Sequence, residues 1–225
     1  MRRPILKICG ITEEATLADI ARENLPIDQI GFVFAASRRA VSPARWRQLA
    51  AFMPPLSHAA GVFVNPSLSE LHDVFEAAPL AVVQLHGEET PDFCEKIRRT
   101  FGCQVTKTFS IREHDTAQAS VAPAVYAGCL DYMLLDTAAG AQRGGTGKAF
   151  AWERIAPYQK WSSTHAVPLL VAGGVHADNI DKLLRTYRPD GVDISSGAET
   201  DGHKDINKIR TIVERMREYE QSTVE

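Results

Sequence analysis

Eight short apolar runs recur along the chain at the spacing of one strand plus one helix. They are Ile5 to Cys9, Gln29 to Phe34, Ala59 to Val64, Leu80 to Leu85, Gln104 to Phe109, Tyr132 to Asp136, Pro168 to Val171 and Gly191 to Ile194. Strands alternating with helix-length segments imply parallel βα units. Eight such units close a (β/α)8 TIM barrel, whose active sites lie at the C-terminal ends of the strands. The residues that end or follow the runs therefore carry the functional reading. Here they are Cys9, Ser37 to Arg39, Asn65, His86, Lys107, Asp136, Gly173 with Gly174, and Ser195 to Gly197.

The 225 residues suit one barrel domain spanning 1–225, with a polar tail from Glu218 onward that is expected to fray. A hydrophobic share of 44% is enough for a core. A net charge of −3 supplies no broad basic field, so nucleic acid is not an expected partner. No apolar run reaches the length of a membrane span or follows a signal-peptide pattern, which predicts a soluble, cytoplasmic protein. Cys9, Cys94, Cys103 and Cys129 form no CxxC pair, in keeping with a reducing compartment. The seven histidines show neither HxH nor HExxH spacing, so no metal site is expected.

Ser42-Pro43, Thr90-Pro91 and Asn65-Pro66-Ser67 read as capped helix starts with proline at the first helical position. Leu68, Leu71, Val74 and Phe75 share one helical face; Ile206, Ile209, Ile212, Val213 and Met216 share another. Between Asp115 and Leu130, Pro123 and Gly128 interrupt the pattern and predict a short or broken fifth helix. Another helix opens near Trp152.

Cys9 ends the first run near a predicted helix start, a place that can favour a thiolate base; the bland alternative is a small buried core residue. Asp136 ends the sixth run, where a partly buried carboxyl can serve as a general acid or, more simply, as a cap. Placed on strands one and six, the two would face each other across the barrel. Gly144 to Gly147, Gly173 with Gly174, and Ser195 to Gly197 let backbone N–H groups approach an anion. The last two follow strands seven and eight, where barrels commonly hold phosphate. The stretch Gly140 to Lys148 is not a P-loop, because Gln142 and Ala149 occupy positions that need glycine and Ser/Thr. Arg39 can clamp a carboxylate in two-point fashion, although Arg38 beside it offers the same chemistry. His86 and Lys107 stay open between a catalytic and a structural role.

These residues together resemble the phosphoribosylanthranilate isomerase family. The resemblance runs in order through Lys7-Ile-Cys-Gly-Ile-Thr12, Gly31-Phe-Val-Phe34 with Ser37-Arg-Arg-Ala-Val41, Gly61-Val-Phe-Val-Asn65 and Val83-Gln-Leu-His-Gly-Glu88. It continues through Leu134-Leu-Asp136 with Gly144-Gly-Thr-Gly147, Ala172-Gly-Gly174, and Asp193-Ile-Ser-Ser-Gly197 with Lys204-Asp205. It implies an Amadori rearrangement of N-(5-phosphoribosyl)anthranilate to 1-(2-carboxyphenylamino)-1-deoxyribulose 5-phosphate in tryptophan biosynthesis, without metal or organic cofactor. Under it, Cys9 is the general base and Asp136 the general acid. Arg39 meets the anthranilate carboxylate, and Gly173, Gly174, Ser195, Ser196 and Gly197 hold the phosphate. His86 and Gly145 complete the candidate substrate-binding set. The implied partner is a small phosphorylated molecule, and the assembly is a monomer or homodimer.

The sequence departs from the family pattern at Arg38, which stands where proline is usual, at Ala151 and at Asp201. The first leaves open which arginine faces the pocket. Two other readings compete. A ribulose-phosphate epimerase lacks support from metal-ligand spacing, and an indole-glycerol-phosphate synthase lacks its early lysine and glutamate pattern. A non-catalytic phosphate binder needs neither Cys9 nor Asp136.

Overall fold

The computed structural model describes residues 3–112, 124–139, 142–143 and 152–222. Its barrel strands are β1 (Ile5–Cys9), β2 (Gln29–Val33), β3 (His58–Phe63), β4 (Val82–Leu85), β5 (Gln104–Arg112), β6 (Tyr132–Ala139), β7 (Leu169–Val171) and β8 (Gly191–Ile194). Each lies parallel to its neighbours, and β1 pairs with both β2 and β8, so the sheet closes into a ring. Gln142–Arg143 folds back antiparallel on β6. All eight apolar runs became strands.

The helices are α1 (Glu14–Arg22), α2 (Pro43–Ala50), α3 (Leu68–Ala77), α4 (Pro91–Phe101), α5 (Ala156–His165), α6 (Ile180–Tyr187) and α7 (Ile206–Ser222). Ser42 and Thr90 cap α2 and α4 through their side-chain oxygens, with proline inside the first turn as expected. The start of α3 differs. Its cap is Ser67, in a reciprocal box with Glu70, and Pro66 lies outside the helix after Asn65 in the left-handed region. The expected fifth helix leaves only a 3₁₀ turn at 124–126 among the described residues. A 3₁₀ segment (Trp152–Ile155) leads into α5. Helix α7 runs to Ser222, into the stretch expected to fray, because Tyr219 is buried and Arg185 donates to the Ser222 hydroxyl.

Strand alternation sorts side chains between two compartments. Leu6 and Ile8 of β1, and Met133 and Leu135 of β6, enter the core between sheet and helices, beside Phe32, Trp46 and Phe63. Fully burying each such side chain is worth about 1.5–3 kcal/mol. The other set points into the barrel and forms layers. Leu134, Leu170 and Ala172 form a small second cluster, with Ile5 and Tyr132 packed against it. Lys7 reaches from β1 to Gln84 on β4 in the middle. One step further up lie Cys9, which ends β1, and Asp136, three residues before the end of β6, on the side of the barrel where the chemistry of this fold lies.

Candidate active site

Cys9 is buried, with its backbone carbonyl accepting from Ser195 Oγ at 3.0 Å. Gly31 on β2 fits beside it: a Cβ there would lie 2.7 Å from the Cys9 sulfur. Burial pushes the thiol above its ordinary value, against the pull of the Lys7 and Lys204 ammonium groups. The expected bias toward thiolate therefore does not prevail. Helix α1 begins only at Glu14, so Cys9 lies outside its first turn and gains little from its dipole.

Asp136 is also buried, inside β6 rather than at its end, since β6 continues to Ala139. His86 follows β4 and brings Nε2 to 3.7 Å from Asp136 Oδ2. Its backbone N–H donates to Phe63 O at 2.8 Å, which fixes the turn that carries the ring. These two candidates are thus brought together from strands two positions apart.

Arg39 sits in the turn after β2, with its shaft laid over Gly10; any Cβ at that glycine would collide with Arg39 Cδ. Its Nε and Nη2 donate to the two carboxylate oxygens of Glu199 at 2.6 and 2.9 Å. Arg38 Nη2 and Lys204 Nζ reach the same carboxylate at 2.5 and 2.6 Å. The side chain of Arg39 is 11% exposed and that of Arg38 56%. Burial alone would raise Glu199, but the hydrogen bonds and charge of Arg39 and Lys204 hold it at about 2.

The loops after β7 and β8 are built for close backbone approach. Gly173 and Gly174 both adopt positive φ, which other residues reach only with strain. Gly197 presses against the Val175 carbonyl, where a side chain has no room. Ser195 and the 3₁₀ turn Ser196–Ala198 stand alongside. A cavity of about 480 Å³ is lined by Gly174, Ser196, Gly197, His176 and Lys208. Gly145 lies outside the described residues.

Several polar residues escaped the sequence reading. Lys7, 1% exposed, donates to Asp193 Oδ2 and Gln84 Oε1, both at 2.6 Å, and Gln84 passes the chain on to Thr108. Its ammonium is raised despite burial because Asp193 and Cys9 face it. The signal was present in Ile5-Leu-Lys-Ile-Cys9 and Gly191-Val-Asp-Ile194, where a charge stands at an inward position. Lys107, open between two roles in the sequence, is held in an ion pair. It is buried on Glu89 at 2.9 Å, and Glu89 also accepts from the backbone of Asn65 and Gly87, tying together the ends of β3, β4 and β5. Among the described residues no cluster of three or more His, Cys, Asp or Glu side chains is placed to hold a metal ion. No described helix is long and apolar enough to cross a membrane.

A closed ring of eight parallel strands, with Cys9 and Asp136 in its upper layer and glycine loops after β7 and β8, defines a TIM-barrel protein. A family model described as N-(5′-phosphoribosyl)anthranilate isomerase matches residues 6–215, and the chain belongs to that family. The N-(5′-phosphoribosyl)anthranilate isomerase of Brevibacillus brevis is 44% identical over 216 residues, covering 96% of this chain and 95% of the relative. A crystal structure of monomers of the dimeric Thermotoga maritima enzyme superposes with a TM-score of 0.78 at 30% identity, covering 96% of this chain and 99% of that one. A further isomerase structure, in complex with reduced 1-(o-carboxyphenylamino)-1-deoxyribulose 5-phosphate, gives 0.76 at 30% identity, with coverages of 96% and 99%.

Proposed function

We propose that this isomerase converts N-(5-phosphoribosyl)anthranilate to 1-(2-carboxyphenylamino)-1-deoxyribulose 5-phosphate with Asp136 as general acid and Cys9 as general base. The observation that carries the assignment is their common layer in the barrel, between the Arg39 turn and the glycine loops. Asp136 protonates the ribose ring oxygen as the C1–O bond breaks, which leaves an open Schiff base. Cys9 then removes the proton from C2, and the resulting enolamine tautomerises to the amino ketone with no net change in protons. His86 is near enough to orient the Asp136 carboxyl. A thiol whose pKa is raised by burial yields the stronger base once ionised.

Phosphate held at the loops after β7 and β8, and the aryl carboxylate held by Arg39, fix the sugar between acid and base. The relative bound to a reduced product analogue supports this ligand class. The dimeric Thermotoga relative leaves monomer and homodimer as the two assemblies to weigh by light scattering.

The test is turnover of phosphoribosylanthranilate, followed as loss of its fluorescence. Cys9→Ser should keep substrate affinity and lower kcat by about 10²-fold or more, since a hydroxyl is a far poorer base. Turnover near that of the unmodified protein would remove Cys9 from the mechanism.

A further inference from the structure

Glu199 has no part in the chemistry above, yet its side chain is only 5% exposed and meets three cations. Lone buried carboxylates are costly, and one contacted by Arg38, Arg39 and Lys204 is surrounded by an excess of positive charge. A second carboxylate from a ligand would reduce that excess.

The donor geometry says where it would sit. A guanidinium carries five N–H groups in one plane. Glu199 takes the edge formed by Nε and Nη2, which leaves the second hydrogen of Nη2 and one hydrogen of Nη1 side by side on the adjacent, end-on edge, while the other Nη1 hydrogen points back toward Cδ. That remaining edge is itself a two-point carboxylate fork. Arg39 is therefore not silenced by its ion pair; it is turned. Its shaft lies in the space above Gly10 and its head is held by Glu199, so the side chain is fixed at both points.

The hairpin that carries Glu199 is equally defined. Glu199–Thr200 pairs antiparallel with His203–Lys204, placing Glu199 directly opposite Lys204. The two residues between, Asp201 and Gly202, both have positive φ, as a type I′ turn requires and as Asp-Gly favours. Lys204 Nζ also donates to Ser195 O at 2.9 Å, so the pair ties the Arg39 turn to the loop after β8.

We propose that Glu199 is a positioning residue that sets which edge of Arg39 faces the aryl carboxylate of the substrate. The proposal rests on the reading of Arg39 given above. It is tested with phosphoribosylanthranilate and with the same compound lacking the ring carboxylate, phosphoribosylaniline. Glu199→Gln should raise KM for the first roughly tenfold while kcat stays within about threefold, the loss expected of a misaligned charged hydrogen bond. For the aniline compound, kcat/KM should stay within about twofold, since it has no carboxylate for Arg39 to grip. Equal losses on both compounds, or no loss on the first, overturn the proposal.

Should the Gln variant fail to fold by circular dichroism, Glu199→Asp keeps the charge and shortens the reach by one methylene. The same selective rise in KM is expected of it, and unselective loss refutes the idea. Failure of the unmodified protein to turn over phosphoribosylanthranilate would overturn the function itself and this inference with it. Normal turnover combined with an unselective variant would overturn the inference alone.

Discussion

Two side chains of the same charge and neighbouring numbers differ sharply in burial. Arg39 is largely covered and lies over Gly10, whereas Arg38 meets the same Glu199 carboxylate with a guanidinium that is mostly exposed. Arg39→Ala should weaken the apparent affinity for phosphoribosylanthranilate by about 1.5–3 kcal/mol, the range for hydrogen bonds to charged groups. Arg38→Ala should cost well under about 1 kcal/mol, as exposed ion pairs do. Steady-state KM values for the two variants check the ranking, and the reverse order would put Arg38 in the pocket. Asp136 is tested by the amide that keeps its volume but cannot deliver a proton. Asp136→Asn should still bind a phosphate-bearing product analogue while turnover of the closed ribose substrate falls by about 10²-fold or more. A substrate analogue already open at the ribose should lose much less. Equal losses for both would make Asp136 a binding group.

The hairpin from Glu199 to Lys204 shows how an element can carry a pH response. Glu199 ionises at about 2 in the folded chain against an ordinary 4.5. Its depressed value contributes stability that is complete above about 4.5. As the pH falls below that value the unfolded chain takes up a proton that the folded chain refuses, and the contribution is lost progressively down to about 2. Urea midpoints measured between these pH values should fall less steeply for Glu199→Gln than for the unmodified chain. Identical slopes would mean that the three cations do not stabilise the folded carboxylate.

This same element marks the boundary of what was legible in the sequence. Regular alternation exposed every barrel strand, and Ser42-Pro43 and Thr90-Pro91 announced their helices, because those signals are local. Glu199 and Lys204 are a cross-strand pair only once Asp201-Gly202 turns the chain, and Glu199 meets Arg39 across 160 positions. Lys7 and Asp193 lie 186 positions apart. Partnerships of that kind exist only after the ring has closed, so single residues such as Cys9 and Asp136 could be singled out while their supports could not.

For the whole molecule, the consequence of closure concerns how the barrel comes apart. An open sheet loses protection from its outer strands inward, since each outer strand is held by one ladder only. Here β1 is bonded to β8 as firmly as to β2, and the ring has no outer strand. Amide hydrogens in β1 to β4 and in β8 should therefore exchange with deuterium at one shared, slow rate set by global unfolding. Those of the Arg39 turn and of the hairpin at 199–204 should exchange through separate, cheaper openings. Mass-spectrometric exchange would refute this if one barrel strand lost its protons well before its neighbours. Exchange of that pattern would give the molecule two independent clocks: a slow one for the ring that carries Cys9 and Asp136, and a fast one for the turns above it.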